Sequence, residues 1–199
     1  LLVSVGSSIL GGIVGQKLAP KIDPPNFGTA LETGITVTTK APTQPYRVIY
    51  GSSRVGGTIV YAETTSSTNE YLHMIVVLAG HEVDDISTIY FNDDAIALET
   101  SSNDSNGIPI YTPTSSDAYT GKVIIKKHFG DPAQLADANL VADVTQWTTA
   151  HKISGKAYLY VKLTFDSDVF PNGVPNISAI TKGKKCYDPR STSFTASSS

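Results

Sequence analysis

The stretch VIYGSSRVGGTIVYAE (48–63) sets one arginine in a glycine- and serine-rich centre between β-branched runs. That composition could cradle a phosphate. A phosphate loop must follow a strand and open a helix, so that backbone N–H groups and the helix N-terminus meet the anion. Here TIVYAE follows Gly57 and is strand-like, and the spacing holds neither Gly-Lys-Ser/Thr nor G-x-G-x-x-G. GSSRVGG therefore reads as a bend between strands, where Gly51, Gly56 and Gly57 supply backbone freedom and Arg54 projects.

The other reactive types are sparse. His73 sits inside an apolar run and reads as a satisfied core or interface histidine. His81, Glu82, Asp84 and Asp85 at a strand exit could meet a hard cation. However, HEVDD lacks the spaced oxygen ligands and turn glycine of a calcium loop, and it is not H-E-x-x-H. His151 follows Trp147 by four residues, which on a helix makes a packing pair. Asp84-Asp85 and Asp93-Asp94 follow strands, where turn carboxylates are ordinary. There is no G-x-S-x-G elbow, and the single cysteine, Cys186, lies in a lysine-rich strand without a nucleophile signature. One cysteine also excludes an internal disulfide framework and a Cys-based zinc cluster. No catalytic, cofactor-binding or metal-ligating residue is assigned, no cofactor is expected, and the chain does not read as an enzyme.

The elements that would position these residues are mostly strands. A chain of 199 residues with 40% apolar and 17% charged residues can fill one good-sized domain. Net charge is −3 and no large basic patch stands out, which argues against nucleic-acid binding driven by phosphate contacts. Lys182, Lys184 and Lys185 read as a solvated face. Strand candidates are ITVTT (35–39), RVIYG (47–51), GTIVYAE (57–63), YLHMIVVLAG (71–80), ISTIYFND (86–93), GIPIYTP (107–113), GKVIIKKHFG (121–130), KAYLYVKLTFD (156–166) and NISAITKGKKCYD (176–188). In the segment 156–166, Ala157, Leu159, Val161, Leu163 and Phe165 alternate with Lys156, Tyr158, Tyr160, Lys162 and Thr164. This period of two predicts one buried and one amphipathic face, with Tyr158 and Tyr160 outward as interface anchors. Leu72 to Leu78 is apolar on both faces, as in a strand covered on both sides.

In GDPAQLADANLVAD, Asp131 as N-cap, Pro132 at the first helical position and Gln134 predict one helix. ETSSNDSNG (99–107) reads as a polar loop. The expected fold class is mainly β with one or two short helices (α+β), an antiparallel barrel or sandwich. Residues 1–30, with Gly11-xxx-Gly15 and Pro20, Pro24 and Pro25, form an apolar, Gly/Pro-rich arm expected to pack on a neighbouring subunit rather than span a membrane. Residues 31–190 form the β-rich domain. Residues 191–199 are a serine-rich segment expected to lead into a further C-terminal part.

Taken in order, VIYGSSRVGGTIVYAE, YLHMIVVLAGHEVDDISTIYFND, HFGDPAQLAD, QWTTAHKISGKAYLYVKLTFD and VFPNGVPNISAITKGKKCYDPR resemble a known set. They are similar to the N-terminal region of the central tail-tip hub, or host-specificity, proteins of lambda-like siphophages and gene transfer agents. The resemblance covers about residues 47 to 190. It implies a virion structural protein at the phage tail tip, with β-barrel or sandwich hub domains similar to phage baseplate hubs. It also implies a homotrimer that contacts a distal tail protein, the tail tube and tip fibre proteins. Transient contact with phage DNA or the host envelope, and no small-molecule substrate, belong to the same expectation. A mildly acidic wall suits DNA passage, because it does not hold phosphates. The alternatives are a β-sandwich carbohydrate-binding or adhesin module and a tail-associated cell-wall hydrolase. Family members continue well past the DPR segment, and host contact in them usually lies downstream of it; the resemblance implies that the hub takes part in host attachment and DNA delivery.

Overall fold

A computed structural model describes residues 46–184. The arm, ITVTT, Cys186, Lys185 and the serine-rich end lie outside the described residues. Within the described residues, ten strands and one helix follow in chain order. The strands are β1 (Ser52–Gly56), β2 (Thr58–Thr65), β3 (Tyr71–Ala79), β4 (Asp85–Phe91), β5 (Asp94–Ala95), β6 (Leu98–Asn103), β7 (Pro109–Pro113), β8 (Val123–Phe129), β9 (Ala157–Thr164) and β10 (Ile177–Lys182). The helix, α1 (Ala138–Asp143), falls between β8 and β9.

They form an antiparallel sandwich of two sheets, not closed into a barrel. One sheet has the order β1-β10-β4-β5 and the other β2-β3-β9-β8-β7-β6. The chain changes sheet at both lateral edges, from β1 to β2 through Gly57 and from β5 to β6. Gly57 allows the first crossing because a Cβ there would lie 2.0 Å from Val76 Cγ1. Between the sheets lie Met74, Val76 and Leu78 of β3, Ile125 of β8, and Leu159, Val161 and Leu163 of β9. They meet Ile86, Ile89 and Phe91 of β4 and Ile177 and Ala179 of β10. This alternation is the period of two expected of pleated strands.

The opposite face of the six-stranded sheet is also covered. Ile75, Tyr158 and Tyr160 pack under Leu140, Val144 and Trp147 of the segment that carries α1. β3 is thus enclosed on both faces, as its sequence predicts. The same layer corrects the expectation for β9: Tyr158 and Tyr160 are fully buried and anchor no surface contact. Phe165, read as an inward residue, is partly exposed just beyond the strand.

Three further expectations shift. The helix begins at Asp137, whose carboxylate accepts from the N–H groups of Asn139 and Leu140. Asp131 instead closes a turn, accepting from Ala133 N at 2.7 Å. The polar stretch 99–107 contributes β6, an exposed edge strand paired to β7. Its polarity reflects exposure at the edge rather than absence of strand. Finally, RVIYG is not a ladder strand, whereas SSRVG is β1, so Arg54 lies on a strand rather than in the bend.

Candidate functional site

The chemically dense part of the described structure is a buried ionic cluster that the sequence reading did not single out. On β8, Lys126 and His128 point to the same face, and both are buried. Lys126 Nζ lies 2.7 Å from Asp104 Oδ2, 2.7 Å from Asp137 Oδ2 and 3.1 Å from Asn139 Oδ1. His128 Nε2 donates to the same Asp137 oxygen at 2.9 Å, and its ring stacks on Tyr158 with centroids 4.2 Å apart. Asp104 also accepts from Asn106 N and Ile108 N, which shapes the loop between β6 and β7. One ammonium therefore ties together a hairpin loop, a strand and a helix N-cap.

The electrostatics follow from that arrangement. Burial pushes the Asp137 carboxyl up, but the His128 hydrogen bond and the Lys126 ammonium outweigh it and hold it below the ordinary carboxylate value. Asp104 behaves alike: burial raises it, while Lys126 and the loop N–H groups bring it down. Burial, reinforced by Asp137, raises the phenols of Tyr158 and Tyr160 far above their usual range. Both carboxylates are ionised and both are committed to partners within the chain, so the cluster locks elements together rather than presenting a free base.

A groove of about 740 Å³ opens beside the cluster, with Val83, Ile108, Lys127, His128, Phe129 and Leu135 among its lining. Its polar wall is largely engaged. Gln134 accepts from Gly130 N and donates to the carbonyl of Lys156, and Asn106 donates to the carbonyl of Ala136.

The residues named from sequence fall elsewhere. Arg54 spans three strands: Nε donates to Ser178 Oγ at 2.9 Å, Nη2 donates to Asn92 O at 2.8 Å, and the guanidinium stacks over Tyr90. It is a cross-strand clamp on the four-stranded sheet, paired at the surface with Asp93. His73 is buried and satisfied, 2.9 Å from the Tyr160 hydroxyl and 2.8 Å from Thr65 Oγ1, and burial lowers its pKa to about 4. His81 accepts from Ile49 N at 2.9 Å and donates through Nδ1 to Glu82 O, so HEVDD is a structural corner. Among the described residues no group of three or more His, Cys, Asp or Glu side chains could hold a metal ion. Trp147 and His151 do pack, with ring centroids 4.8 Å apart, but in a turn rather than a helix. No helix among the described residues is long and apolar enough to cross a membrane.

No protein-family model and no curated protein matches the chain. Among solved structures, a chain of the "Virion of native gene transfer agent (GTA) particle" is similar with a TM-score of 0.44 and 17% identity. The match covers 73% of this chain and 28% of that one. This chain thus spans little more than a quarter of the length of that structure's chain.

Proposed function

We propose that the chain is a structural component of a phage virion, the central hub of a tail tip, assembled as three copies around the tail axis. In this role it joins the tail tube and distal tail protein to the tip fibre, and takes part in host attachment and DNA delivery. The observation that carries the reading is the ordered series of motifs over residues 47 to 190. Those motifs fall on the frame of the sandwich. GSSRVGG makes β1 and the crossing to β2, LAGHEVDDI joins β3 to β4, and AYLYV is the centre of the six-stranded sheet.

Physical features of the domain support the same reading. Among the described residues, Lys126, His128, Asp104 and Asp137 are spent on holding a hairpin loop, a strand and a helix cap together. A ring subunit needs a rigid sandwich and surfaces to share with its neighbours.

The test is the mass of the full chain under native conditions, followed by imaging of any ring. Three copies in a closed ring is the expected result. A solitary chain that binds glycans on an array overturns it in favour of a carbohydrate-binding module. The groove beside Phe129 and Leu135 is where such a ligand would be sought.

A further inference from the structure

Residues 46–51 carry an unusual surface. Tyr46, Val48 and Tyr50 are 70%, 58% and 66% exposed, while Ile49 between them is buried. The odd-numbered residues turn their backbone to the protein. Gly80 N donates to Arg47 O at 3.0 Å, Lys184 N to Ile49 O at 2.9 Å and Gly183 N to Gly51 O at 2.7 Å. Ile49 N donates to His81. Among the described residues, the N–H and C=O groups of Tyr46, Val48 and Tyr50 make no hydrogen bond. Among the described residues the segment therefore offers an unpaired backbone edge and, on one face, a row of three large, exposed side chains. Such an edge is a template for another strand.

The sequence of the row selects the occupant. YRVIY has tyrosine at both ends and valine at the centre, so it reads alike in either direction at its exposed positions. We propose that this edge pairs with the same edge of a second copy, antiparallel, about a two-fold axis at Val48. In that register Val48 faces Val48 of the other copy and Tyr46 faces Tyr50. All three outward residues fall at hydrogen-bonded positions, so each unpaired N–H and C=O gains a partner. In the same register Arg47 faces Ile49, so the charge of the segment does not oppose its equivalent, and its guanidinium bonds Gly56 O.

The three side chains offer roughly 400 Å² per copy, or about 800 Å² for the pair, below the ~1,200 Å² at which specific interfaces become stable alone. The dimer is therefore concentration-dependent. The contact goes beyond the hub reading, because three copies in a ring need head-to-tail contacts and this one is two-fold.

The test uses the full chain and its Val48→Lys variant, weighed by sedimentation across a wide concentration range. A second variant, Val48→Cys with Cys186→Ser, is exposed to mild oxidant. The expected results are reversible self-association weakened at least tenfold by Val48→Lys, an unchanged melting temperature, and a disulfide-linked homodimer of the cysteine variant. Amide exchange at Val48 and Tyr50 slows as concentration rises. A chain that stays single at every concentration, with those amides already protected, shows the edge covered from within the chain and overturns the proposal. So does association that Val48→Lys leaves intact. A three-copy ring that persists in Val48→Lys, with no two-copy species in either protein, sinks the two-fold contact while leaving the hub reading standing.

Discussion

Lys126 and Asp137 form an ion pair in which neither side chain is exposed, Nζ to Oδ2 2.7 Å. Each also holds a second partner, Asp104 on the lysine and His128 on the aspartate. Desolvating such charges is costly, and the cost is recovered only while every partner stays in place.

Removing the cation alone should therefore be severe. Lys126→Met leaves two buried carboxylates without their counter-charge, with an expected loss of about 3–5 kcal/mol. Adding Asp104→Leu to that variant removes one stranded charge and should recover part of the loss. Urea denaturation of both variants checks the sign of the coupling. Equal stability would show that Asp104 does not depend on Lys126.

Acid should unlock the fold in two stages. His73 has a folded pKa of about 4, below its ordinary 6.5, because burial opposes its charge. The unfolded chain therefore binds more protons between these values, and the stability present above pH 6.5 is lost as the pH falls towards 4. Asp104 and Asp137 have lowered folded pKa values, so their contribution is full above the ordinary carboxylate value and is lost as pH falls below it. His73→Gln should flatten the upper stage of a stability-against-pH curve and leave the lower one.

Two neighbouring tyrosines should respond differently to losing a hydroxyl. The Tyr160 hydroxyl meets His73 Nδ1, so Tyr160→Phe strands a buried imidazole nitrogen at about 1–3 kcal/mol. The Tyr158 hydroxyl is buried and unpartnered among the described residues, so Tyr158→Phe should be neutral or stabilising. Thermal melts separate the two. Neither change should alter the number of copies in any assembly, because both rings are internal.

A glycine next to the exposed row fixes its position. A Cβ on Gly183 would lie 2.0 Å from the carbonyl oxygen of Ile49. Gly183→Ala should push residues 46–51 off the sandwich, cost about 1–3 kcal/mol, and speed amide exchange at Ile49. Gly51→Ala meets no neighbour but has φ +69°, so it should cost about 1 kcal/mol through backbone strain alone.

Much of the architecture was legible along the chain. The alternation of Ala157, Leu159, Val161 and Leu163 and the two-sided apolar run of β3 predict an antiparallel barrel or sandwich, because a pleated strand must bury one face or both; the sheet orders decide for a sandwich. His73 could be read as a satisfied core residue, since an isolated histidine in an apolar strand must find partners. The buried cluster was harder to see. Its members, Asp104, Lys126, His128 and Asp137, come from a loop, a strand and a helix cap, and no fixed spacing relates them. The adjacent pair Lys126 and Lys127 held the only signal: neighbours on a strand face opposite ways, so one lysine had to turn inward.

By itself the sequence determined the long strands β2, β3, β4, β8 and β9, a glycine-permitted bend ahead of β2 and the absence of a recognised catalytic signature, since these depend on local periodicity and on residue types. Tertiary structure decided the rest. It placed Tyr158 and Tyr160 under α1 instead of at the surface, because only the packing of a distant segment shows whether a polar-tipped face is covered. It moved the N-cap from Asp131 to Asp137, because that carboxylate could satisfy Lys126, His128 and the helix N–H groups together.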